Sequence, residues 1–76
     1  VNYYIIVSNI ENSTRVEGFY IEHEIEHAMD ELDRQTIKYL GVDCHPLENG
    51  TIGFYSSSGD RVYLEEKDTQ LKGVLL

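Results

Sequence analysis

The stretch IEHEIEHAMDELDRQTIKYL, residues 21–40, decides how this chain folds. Ile21, Ile25, Ala28, Met29, Leu32, Thr36, Tyr39 and Leu40 recur in it at spacings of three and four. At about 100° per residue they fall on one stripe of a helix. Acids crowd the first half, and Arg34 and Lys38 sit in the second, which matches the helix dipole. Gly41 supplies a C-terminal stop. The pattern predicts a helix over 21–40 with Ile25, Met29 and Leu32 turned inward. His23, His27 and Asp30 turn to solvent.

Working back from that helix, its start has to be separated from a rival reading. Thr14-Arg15-Val16-Glu17 matches a capping box, which would begin the helix early. Val16, Phe19 and Tyr20 then fall off the apolar stripe, and Gly18 would weaken a helix interior by ~1 kcal/mol. Residues 16–20 are therefore read as a strand. Residues 3–7, Tyr-Tyr-Ile-Ile-Val, read as another, buried on both faces and central in its sheet. Between them, Asn9, Asn12 and Ser13 mark residues 8–14 as a turn.

Working forward, the period changes to two. Val42, Cys44 and Pro46 share one face. Asn49-Gly50 reads as a two-residue hairpin turn. Ile52 and Phe54 alternate with Gly53 and Tyr55, and Ser58-Gly59-Asp60 turns the chain again. Val62 and Leu64 alternate with Arg61, Tyr63 and Glu65. This is a three-stranded meander. Residues 71–76 end apolar and are expected to add an edge strand or to dock on a partner. One amphipathic helix has to bury its stripe on one sheet face. The expected fold is α+β: a single domain over 1–76, with one helix on a mainly antiparallel four- to five-stranded sheet that ends in the meander.

Seventy-six residues leave no room for a second core. A domain this small buries only about 60% of its unfolded surface, so a partner or a second copy could add stability. A lone cysteine, Cys44, forbids an internal disulfide and suits a reducing, cytoplasmic setting. No leader and no membrane span are legible. Fourteen acids against six bases give a formal charge of −8. Such a surface repels nucleic acid and anionic membranes and favours basic partners.

His23-Glu24-Ile25-Glu26-His27 resembles the zincin metalloprotease signature, H-E-x-x-H on a helix. The resemblance covers five residues and implies two zinc ligands, His23 and His27, with Glu24 as general base. Glu26 departs from the uncharged residues usual between the Glu and the second His. The helical wheel also sets both histidines about 160° from Ile25, on the outer face, where water competes for every ligand. No catalytic residue, metal site or cofactor is therefore expected. Adventitious surface zinc binding by His23 and His27 is kept as a third reading.

Glu22, Glu26, Asp30 and Asp33, spaced by four, four and three, line one flank of the helix. Like charges at i, i+4 destabilise a helix by a few tenths of a kcal/mol per pair. That mild cost points to a partner supplying positive charge, against the simpler reading of a solvated face. The leading expectation is a non-enzymatic inhibitor or regulator whose acidic helix docks on a basic protein surface. Its strong form is a nucleic-acid mimic of the kind phages use. The alternative is an accessory domain that self-associates through its sheet or C-terminal tail. Tyr3, Tyr4, Tyr20, Tyr55 and Tyr63 are expected to make that sheet aromatic-rich.

Overall fold

The computed structural model describes residues 2–68. Strands β1 (Asn2–Ile10) and β2 (Ser13–Ile21) form a hairpin. A single 3-10 turn, Glu22–Glu24, leads into helix α1 (Ile25–Leu40). Strands β3 (Cys44–Pro46), β4 (Ile52–Ser56) and β5 (Arg61–Asp68) follow as a meander. The five strands form one antiparallel sheet in the order β2-β1-β5-β4-β3. The fold is α+β, one helix packed on a five-stranded antiparallel sheet.

Residues 16–20 lie within β2, so the strand reading prevails over the capping box at Thr14. The helix starts later than its periodicity suggests. Ile21 closes β2 and is 44% exposed instead of lining the helical stripe. Its backbone N–H donates to Oε1 of Glu24 at 3.0 Å, a contact that turns the chain into the helix. The end is as expected: Gly41 has φ +74° and its N–H reaches the carbonyl of Ile37 at 3.1 Å.

The turns also differ from expectation. The two-residue hairpin is Glu11-Asn12, with φ of +53° and +67° between the paired Ile10 and Ser13. Asn49-Gly50 sits in a longer connection between β3 and β4. Gly50 alone of the two has positive φ, and the Asn49 side chain accepts the N–H of Thr51 at 3.1 Å. The strand that was to begin at Val42 begins at Cys44, leaving Val42 exposed. The apolar end at 71–76 lies outside the described residues.

Helix α1 covers one face of the sheet, touching β1, β2, β4 and β5. Ile6, Val62 and Leu64 from the sheet meet Ala28 and Leu32 from the helix in the buried core. Ile25 and Met29, expected inside, are half-buried at its margin with Tyr4, Tyr20 and Tyr39. The register places Ile6 beside Gly18 and Leu64, and Tyr4 beside Tyr20, all toward the helix. Between Ile6 and Val7 the register slips, so Glu17 is an extra, bulged residue on β2.

Candidate functional site

The bulge turns Glu17 under the helix. Its carboxylate accepts the hydroxyl of the fully buried Ser8 at 2.7 Å and that of Tyr39 at 3.0 Å. Arg15 Nε stands 3.9 Å away. Hydroxyl donation from Ser8, against the opposing effect of burial and with help from Tyr39, Arg15 and Lys38, holds Glu17 below the ordinary carboxylate value. Glu31 is similar: hydrogen bonds from Gln35, at 2.5 Å, and from Arg34, at 2.6 Å, lower its pKa. Glu17 ties β2 to the helix through Tyr39, whereas the hydrogen bonds of Gln35 and Arg34 hold Glu31 within α1. Neither faces a nucleophile-and-base pair.

The predicted acidic row divides. Glu22 belongs to the 3-10 turn, not the helix, and accepts the backbone N–H of Asn2 at 3.2 Å. Glu26, Asp30 and Asp33 lie on α1 and are exposed. None of these three has a hydrogen bond or ion pair among the described residues. Arg34, which also feels the charge of Asp30, turns its guanidinium onto Glu31. Arg15 pairs with Glu17, and Lys67 with Glu65. These bases serve acids elsewhere and leave the row's negative charge open.

Ile37 continues the same row, four residues after Asp33, and is 63% exposed. Sequence reasoning passed over it, although the signal was present. Twelve residues beyond Ile25, it falls about 120° round the helix, off the apolar stripe. The row therefore reads as three open carboxylates followed by one exposed aliphatic side chain.

His23 and His27 are exposed as expected, but His23 lies in the 3-10 turn and His27 in α1, so they do not share one helical geometry. Among the described residues, no three His, Cys, Asp or Glu side chains are grouped to hold a metal. Cys44 and His45 lie on β3. The His45 ring stands 5.6 Å from that of Tyr55.

The five tyrosines do not form one surface. Tyr4 and Tyr20 turn toward the helix, whereas the pairing register puts Tyr3, Tyr63 and Tyr55 on the opposite face. There the Tyr3 and Phe19 rings stack 5.0 Å apart. An open groove of about 470 Å³ lies beside the start of the helix, lined by Tyr4, Ile25, Ile52 and Leu64 and edged by Glu65 and Glu66.

Comparison of the chain with known protein families, with curated proteins and with solved structures yields no match. No helix among the described residues is long and apolar enough to cross a membrane.

Proposed function

We propose that this protein is a non-enzymatic binding module, an inhibitor or regulator that docks its acidic helix on a basic surface of a partner protein. The observation that carries the reading is the row Glu26, Asp30, Asp33 and Ile37: exposed carboxylates with no hydrogen bond or ion pair among the described residues, next to an exposed aliphatic side chain. Lysines and arginines of a partner would meet the carboxylates. Ile37 would bury its apolar surface at the edge of the contact, and burying such a side chain gives about 1.5–3 kcal/mol. Glu22, at the head of the row, would add long-range attraction.

In its strong form the module imitates nucleic acid. Charges four residues apart on a helix stand about 6 Å apart along the axis, sparser than the roughly 3.4 Å of one DNA strand. The match is therefore to the sign of the field and not to phosphate spacing.

The test is capture from a lysate of the source on immobilised wild-type protein and on a Glu26→Lys/Asp30→Lys variant, eluted with rising salt. A partner held by wild type, released toward 1 M salt and missed by the variant supports the reading. For such a partner the association rate should fall about ten- to a hundred-fold on the double reversal, because steering acts on encounter. Competition by DNA or RNA for the same surface would support the mimic form. A partner that binds both proteins equally at all salt concentrations overturns it.

A further inference from the structure

The sheet face opposite the helix is apolar where α1 does not reach. Tyr3, Ile5, Val16, Phe19, Ile21 and Tyr63 lie on it, with Val16 63% and Phe19 61% exposed. Val7, on the same face between Val16 and Tyr63 in the register, is nevertheless buried. Charge is distributed just as unevenly. In the strands, the charged residues on this face are Arg61, Glu65 and Lys67, and the last two pair with each other. The acidic row stands on the other side of the molecule.

We propose that this face is the interface of a symmetric homodimer in which two sheets pack back to back. Two observations favour a second copy over a foreign partner. The face is almost neutral in a chain of charge −8, so two copies meet here with the least repulsion. The area also suffices. The five strands total 34 residues. Each covers about 16 Å² of sheet plane, or roughly 540 Å² per face. Two faces together remove more than about 1,000 Å², the threshold of a specific interface. Twisted sheets stack about 10 Å apart in this way. The helices then point outward from opposite sides, further apart than the ~8 Å reach of charge at physiological salt. Each dimer presents two acidic rows.

The proposal does not depend on what the acidic rows bind. Sedimentation equilibrium of the full chain, from micromolar to millimolar concentration, should show a monomer–dimer equilibrium. A Val16→Asp/Phe19→Asp variant buries unpaired charges from both copies and should dimerise more than about 1,000-fold more weakly. Val16→Ser/Phe19→Ser, milder in the strand, should weaken it at least about tenfold. Circular dichroism should show both variants folded, as both side chains are largely exposed. Glu26→Lys/Asp30→Lys should leave the dimer unchanged. A wild-type monomer at every concentration, a dimer indifferent to both face variants, or one lost on the helix reversal overturns the proposal.

Discussion

The two faces of the sheet are built from the same kinds of residue and have opposite fates. Ile6, Val62 and Leu64 point toward the helix and are buried against Ala28 and Leu32. Val16, Phe19 and Ile21 point the other way and stay largely exposed. Composition does not separate them, because both sets are β-branched, aliphatic or aromatic. What separates them is which side the crossover from β2 to β3 takes. A side chain's energetic weight here follows from what packs on it and not from its hydrophobicity alone.

The largest effect that sharpens the contrast is a pair of truncations. Leu32→Ala removes three carbons' worth of packing from the centre of the covered face and should cost about 2–5 kcal/mol. In so small a domain that is enough to threaten folding. Phe19→Ala on the open face loses the stack on Tyr3 and little burial, so a monomer should lose only about 1 kcal/mol. Urea denaturation at low protein concentration measures both. Similar losses would mean that the open face is packed after all.

A second contrast lies within the covered face, between its apolar centre and the polar bulge at Glu17. Glu17→Gln keeps the shape but removes a charged acceptor from the buried Ser8 hydroxyl, and should cost about 1–3 kcal/mol at neutral pH. Because the folded Glu17 has a lowered pKa, its contribution is fully present above the unfolded value near 4.5. It is lost as pH falls through the folded value. Thermal midpoints below pH 4.5 should therefore drop more steeply for wild type than for Glu17→Gln. The variant keeps the residual slope due to Glu31, whose pKa is lowered too. Parallel curves would show that Glu17 contributes nothing through its charge.

The smallest effect belongs to the outer side of the helix. Glu26→Lys/Asp30→Lys replaces one repulsive i, i+4 pair by another and places a base beside Arg34, while Glu26 no longer repels Glu22. The isolated protein should change by only a few tenths of a kcal/mol. A thermal shift of more than a few degrees would mean that the row has structural contacts, and the binding role would weaken accordingly.

Local pattern carried much of this fold. The three-and-four spacing through Leu32 and Thr36 marked the helix, and the same spacing excluded Val16, Phe19 and Tyr20, which are in β2. Period-two alternation gave β4 and β5. The exposure of His27, Glu26 and Asp30 followed from the wheel, whereas His23, also exposed as expected, owes its position to the 3-10 turn. The helix start was displaced because Ile21 fits two patterns at once, the last residue of a strand and the first of a stripe. Local spacing cannot choose between them. The choice rests on pairing of Ile21 with Tyr3 across the hairpin.

What the sequence by itself determined, then, is the number and kind of elements, the inward side of the helix and the acid left on its outward side. These depend on residues a few positions apart, whose relation the chain's own geometry dictates. The apolar run at 3–7 already marked β1 as a central strand; tertiary structure alone decided that its neighbours are β2 and β5, that a bulge drives Glu17 beneath Tyr39, and that Tyr3 and Tyr63 part from Tyr4 and Tyr20. The type of the Glu11-Asn12 turn was decided in the same way, since positive φ at two residues other than glycine is held by the strands it joins. Each of these features depends on contacts between residues distant in the chain. Their free energy is that of packing and pairing in the assembled sheet, and no local window of sequence contains it.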